Sequence, residues 1–158
     1  MNKVGQIKMR LVQNSSDLDQ LIFSLGDRGM SGESLEMVES YIKSCWGKGV
    51  EVILDPNLTD AFGTYCPESN TLTLGEKAIS CNIEFIETLE HEFVHVLQDQ
   101  LAGIHNAEMT PLGIPTTETA NTIVDENYIV DEHTQQLESE AFTLEHAIEN
   151  PMAGAEFA

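Results

Sequence analysis

Three residues of this chain have the types and spacing needed to hold a metal ion and activate a water beside it. They stand in the segment Thr88-Leu-Glu-His91-Glu92-Phe-Val-His95-Val-Leu97. Two histidines four apart on a helix lie one turn above each other on one side, where both imidazoles can reach one metal. Glu92, one residue on from His91, is rotated by about 100° around the helix axis. From there its carboxylate can address a metal-bound water without taking a ligand position. Two ligands and one general base are what metal-assisted hydrolysis of a peptide bond requires. Phe93, Val94, Val96 and Leu97 are uncharged and mostly bulky, as a buried metal helix demands, and no Pro or Gly interrupts the run. Histidines and an acid on such a helix are costly to bury without a metal or hydrogen-bond partners. The competing reading is a pair of core histidines satisfied by hydrogen bonds alone.

At these residues the chain resembles the zincin superfamily of metallopeptidases. The resemblance implies a zinc ion (Zn2+) held by His91 and His95, with Glu92 as the general base that takes a proton from water and hands it to the leaving amine. A catalytic zinc takes a third protein ligand and leaves one position open. The metzincin branch places a third histidine six residues after the second, following a glycine. Leu101 and Gln98 occupy those two positions here, which excludes that branch. The gluzincin branch takes a glutamate from a later helix, and the segment from His133 to Leu144 offers Glu138 and Glu140. The apolar stripe of that helix runs Leu137, Ala141, Leu144, Ile148, and Glu140 borders it. Glu138 points about 100° away from Leu137, towards the side of Glu145, which reads as a solvated face. Glu140-Ala141 is also similar to the Glu-Ala ligand pair of thermolysin-like enzymes, so Glu140 is the expected third ligand. His133, seven residues before Glu140, is the rival ligand or an oxyanion group, and Tyr128 is the other candidate to hold the oxyanion. His105 and His146 read more simply as surface residues, and Asp99 is placed to accept from a ligand imidazole.

The elements that must position these groups are legible in the spacing of apolar and turn residues. Residues 15–25 and 31–45 read as scaffold helices, each opened by capping residues and ended by glycines. Residues 50–54 alternate as a strand, and 61–66 with 71–74 suit a hairpin across Pro67-Glu-Ser-Asn70. The metal helix spans about 82–102, with Ile83, Ile86, Phe93, Val94, Leu97 and Leu101 as its apolar band. Residues 104–131 read as a long loop, and 131–148 as a final helix. The implied fold class is α+β: a minimal zincin-like domain over residues 1–150 with N-terminal helices, a small mainly antiparallel sheet, the metal helix and a C-terminal ligand-bearing helix. Residues 151–158 are expected to form a flexible tail. In the zincins an edge strand beside the metal helix binds extended substrate, a role the 61–74 hairpin could fill.

Bulk properties narrow the partners. With 27 Asp and Glu against 7 Lys and Arg, the formal net charge is −20. Such a surface repels phosphate backbones, which speaks against nucleic-acid binding and leaves a protein or peptide as the expected substrate. No run approaches the roughly 20 apolar residues of a membrane span, and the N-terminus lacks a signal-peptide pattern, so a soluble cytoplasmic protein is expected. Cys45, Cys66 and Cys81 are odd in number and unpaired in spacing, which fits free thiols in a reducing compartment. Three function classes stand: a zinc peptidase, a non-catalytic zinc-stabilised binding or assembly module, and a metal-free acidic interaction protein.

Overall fold

The computed structural model describes residues 10–101, 111–128 and 130–149, the side chains of Leu101 and 146–149 excepted. The expected tail, and His105 with it, lie outside the described residues. Asn14 and Ser31 accept hydrogen bonds from the backbone N–H groups of Asp17 and Ser34, starting helices α1 (Ser15–Asp27) and α2 (Gly32–Gly47). Each side chain satisfies one of the donors a helix start leaves open. Both helices end where the chain reverses at Gly29 and Gly49, whose φ values of 96° and 76° suit a residue without a Cβ.

Four strands form one sheet in the order β1 (Arg10–Val12), β2 (Glu51–Asp55), β4 (Thr71–Gly75), β3 (Gly63–Cys66). β1 with β2 and β3 with β4 are antiparallel, while β2 and β4 run parallel. Two of the three pairings are thus of the expected kind, and the class is α+β. Alternation sets the core face: Val52 pairs with Leu72 and Leu54 with Leu74, and all four are buried. The 56–62 segment carries the chain past the β4 position, so β3 ends on the outer edge of the sheet.

Helix α4 (Asn82–Leu101) is the centre of the molecule, packed against α2, α3 (Glu76–Ile79), β3, β4 and α6 (Glu132–Glu149). Every residue from Thr88 to Val96 is buried. Phe85, Leu89, Phe93 and Val96 belong to the main apolar cluster. Ile83, expected in that band, is instead 65% exposed. Burying side chains such as Phe85 and Leu89 stabilises the fold by about 1.5–3 kcal/mol each. The expected long loop contains a further helix, α5 (Glu118–Asn127), packed on α6. Thr117 caps it by accepting from Ala120 N–H. Its Thr and Asn content has weak helix propensity and only Ala120 and Val124 are buried, so it owes its form to α6 rather than to its own sequence.

Candidate metal centre

Nine consecutive buried residues on one helix must include polar ones unless every face meets apolar neighbours. On α4 the side covered by α6 carries His91, His95 and Gln98, with Glu92 beside them against the β3 edge. Each of these groups needs a partner, since an unpaired buried polar group is destabilising by about 1–3 kcal/mol. Helix α6 supplies most of them.

The two imidazoles converge on one carboxylate. His91 Nε2 lies 2.8 Å from Glu138 Oε1, and His95 Nε2 lies 3.3 Å from Glu138 Oε2. Their other nitrogens face acceptors: His91 Nδ1 stands 3.1 Å from Glu145 Oε1, and His95 Nδ1 stands 2.7 Å from Gln98 Oε1. Both rings are therefore fixed from behind and present Nε2 to a common point, which is how metal-binding histidines are held. Glu138 and Glu145, seven apart, share one face of α6 and flank His91 together.

The electrostatics follow from burial and proximity. Burial works against a charged His91 ring, but its contacts with Glu138 and Glu145 outweigh this and push it up to about 10. His95 is also burdened by burial and is still raised, with Glu138 the main reason. Burial likewise opposes ionisation of Glu138, yet the two imidazoles hold it down to about 2. Glu92 differs. It is 7% exposed, and burial pushes its carboxyl up despite the neighbouring imidazoles. Among the described residues it accepts no hydrogen bond and faces a cleft of about 690 Å³.

That cleft is bounded by Ala61, Phe62 and Gly63 at the β3 edge, by α4, and by Ile123, Asn127, Tyr128 and Phe142 from the α5–α6 side. Phe142 stacks edge-on against His91 at 4.4 Å between ring centres. The close approach of β3 to α4 depends on Gly63. A Cβ there would come within 2.6 Å of Thr88 Cγ2 and 3.3 Å of Glu92 Cγ. Spacing alone does not reveal this glycine as part of the site.

The expected site residues are thus distributed unevenly. His91, Glu92 and His95 come together, with ligand atoms within 4.8 Å of one another. Tyr128 lines the same cleft, and burial with the nearby Glu138 pushes its hydroxyl up to about 12. His133 does not join them; it sits exposed at the start of α6. Asp99 accepts from the Tyr65 hydroxyl at 2.7 Å rather than from an imidazole.

Glu140 requires a correction of its expected place. It is fully buried, as its position beside the apolar stripe implies, but it does not face the histidines. Its Oε1 accepts from Gln98 Nε2 and Leu112 N, and its Oε2 from Gly113 N and Ile114 N, at 2.7–3.3 Å. Gly113, with φ 83°, lets three successive N–H groups turn towards one anion. The glutamate at the histidines is Glu138, because the flank of α6 that looked solvated is the one laid against the polar side of α4.

The donor set suits zinc: two imidazole nitrogens and a carboxylate oxygen converging on one point, with rings held by acceptors behind. Glu138 makes the shorter contacts to both rings, and the Glu92 carboxylate lies within 4.8 Å of them. All three cysteines are free, Cys45 buried and Cys66 and Cys81 exposed. No described helix is long and apolar enough to cross a membrane. No family model, curated protein or solved structure matches this chain.

Proposed function

We propose that this protein is a zinc-dependent peptidase in which His91, His95 and Glu138 hold the metal and Glu92 is the general base. The observation that carries the proposal is the contrast among the buried polar groups of α4. His91 and His95 have both ring nitrogens partnered, whereas the Glu92 carboxylate is buried, raised by burial despite the imidazoles beside it, and lines the cleft with no hydrogen bond among the described residues. A raised carboxyl in a pocket is suited to moving a proton near neutral pH.

A bound zinc ion would lower the pKa of a water molecule and polarise a substrate carbonyl. The remaining work falls to the chain. Glu92 takes the proton of the attacking water and returns it to the leaving amine nitrogen. Tyr128, kept protonated by burial and by surrounding carboxylates, donates from the opposite side of the cleft to the oxygen that gains charge. Phe142 and Ile123 exclude water behind the site. The exposed edge of β3 can pair with an extended peptide through its backbone. The lining residues include Asp60, Glu84 and Glu87 and neither Lys nor Arg, so a peptide with basic side chains fits the field better than an acidic one. Free thiols suit a reducing compartment, in keeping with a cytoplasmic setting.

The test is zinc content followed by cleavage of a mixed peptide library. We expect about one zinc per chain, and turnover that disappears in Glu92→Gln while the zinc is retained. A native chain that takes up no zinc would sink the whole reading. Zinc uptake with equal turnover in both proteins would rule out Glu92 as the base, and zinc uptake with no turnover in either would favour the second reading, a zinc-stabilised binding module.

A further inference from the structure

Glu140 touches neither histidine, yet its hydrogen bonds decide how one of them presents its ring. We infer that Glu140 and Gln98 are positioning residues: together they hold His95 with its Nδ1–H donated to Gln98, so that Nε2 is the atom turned to a metal. This rests on the metal-site reading above but makes a separate claim about residues outside the ligand set.

The argument is an inventory of donors and acceptors. Gln98 is fully buried, so both ends of its amide must be satisfied inside the protein. Its Nε2 faces Leu137 O at 3.0 Å and Glu140 Oε1 at 2.8 Å, and neither oxygen has a proton to give. Turning the amide over would set its oxygen against those two oxygens. Gln98 Oε1 must therefore point the other way, to His95 Nδ1 at 2.7 Å. An amide oxygen only accepts, so Nδ1 carries the hydrogen. In the neutral ring that leaves the lone pair on Nε2, the atom turned towards Glu138 and the one a metal needs.

His91 is set by a different device, with Glu145 accepting directly at Nδ1. At His95 the carboxylate acts through an amide, and the reason lies in what else Glu140 holds. Its oxygens also take the N–H groups of Leu112, Gly113 and Ile114, which lead into α5. Thr117, the cap of α5, is tied to the same helix through its N–H to Thr143 Oγ1 at 3.0 Å. One buried carboxylate thus orients a metal ligand and fastens the segment whose Ile123, Asn127 and Tyr128 form the cleft wall. An apolar residue at position 140 would satisfy neither group.

The experiment uses the full chain, with zinc affinity read by competition against a chelator and the His95 ring read by nitrogen-15 NMR. In Glu140→Gln the new amide can serve the Gly113 and Ile114 N–H groups with its oxygen, and its NH2 then stands against Leu112 N–H and the Gln98 NH2. Gln98 then keeps only Leu137 O as an acceptor, and its hold on His95 Nδ1–H is weakened. Zinc affinity is expected to fall about 10–100-fold, the usual loss for a group that orients a ligand. Adding Gln98→Glu to that variant supplies a carboxylate able to accept from both the new amide and His95 Nδ1–H. Zinc affinity should recover most of the way, which a purely structural role for two buried residues does not predict. Native affinity in folded Glu140→Gln, or no recovery in the double variant, overturns the inference. Should Glu140→Gln fail to fold, Gln98→Leu leaves Glu140 with its backbone donors and is expected to lose a similar factor; unchanged affinity there overturns it equally. In the zinc-loaded native chain, zinc on His95 Nε2 with a hydrogen-bonded Nδ1–H supports the positioning, and zinc on Nδ1 overturns it. Failure of the native chain to take up zinc overturns the metal-site reading alone.

Discussion

The two sides of α4 are both buried but are held by different physics. Towards the sheet, Phe85, Leu89 and Val96 sit in an apolar cluster, where stability comes from area removed from water and has little direction. Towards α6, His91, His95 and Gln98 are held by hydrogen bonds whose direction matters more than their number. The first side tolerates a change of shape at similar volume; the second fails if one donor is replaced by an acceptor. Glu92 belongs to neither pattern, being buried without a hydrogen-bond partner among the described residues, and residues that violate the local rule tend to be the functional ones.

Substitutions can break this contrast or sharpen it. Glu92→Gln should give the largest effect on activity: turnover is expected to fall about 10²–10⁴-fold, the usual range for a general base. Its metal-free melting temperature should stay level or rise, since a neutral amide relieves the burial of a carboxylate, which outweighs the pull of the nearby imidazoles. A melting temperature well below native would mean that Glu92 is structural. On the apolar side Phe85→Ala should lose about 3–5 kcal/mol in urea unfolding. Its folded fraction should bind zinc as the native chain does, and a parallel loss of zinc affinity would erase the distinction between the two sides.

Glu138→Ala should lower zinc affinity by more than the ~100-fold ceiling of an outer hydrogen-bond partner, as removal of a direct ligand must. A smaller loss, measured by the same chelator competition, would return Glu138 to the role of counter-ion. Gly63→Ala forces a Cβ against Thr88 and the stem of Glu92, and an overpacked contact of this kind costs about 1–3 kcal/mol. Urea unfolding within error of native would show that β3 yields easily.

The smallest effect concerns pH. Burial, together with Glu90 at Tyr41 and Asp99 at Tyr65, raises both phenols well above their ordinary 10.0. A group raised in the fold adds stability that is fully present below pH 10.0 and is lost as the pH climbs through the folded value. Phenolate absorbance should therefore appear together with unfolding rather than near pH 10.0. Independent titration of these tyrosines in the folded chain would contradict the burial of their hydroxyls.

Much of this was open to reading from the residues. The helices 15–25, 31–45, 82–102 and 131–148 and the 61–74 hairpin carry strong periodicity or capping signals, and the structure has each within a few residues. β1 and α3 are too short to leave a period, and α5 is ordered by packing on α6. Glu145 and Gln98 left a signal that spacing could have found: Gln98 is three residues after His95, and Glu145 seven after Glu138.

The sequence by itself determined that His91 and His95 share a side of one helix with Glu92 beside them, because helix geometry is local and needs no partner. It also determined that Glu140 is buried, since Leu137 and Ala141 set the apolar stripe it borders. Only the tertiary structure decided which flank of that stripe meets the histidines. That choice depends on how α6 is turned against α4 and on the N–H groups of Leu112, Gly113 and Ile114, which occupy Glu140 and leave Glu138 at the rings. Helix phase is written in the spacing of one segment, whereas the rotation of two helices against each other is a property of the contact between them.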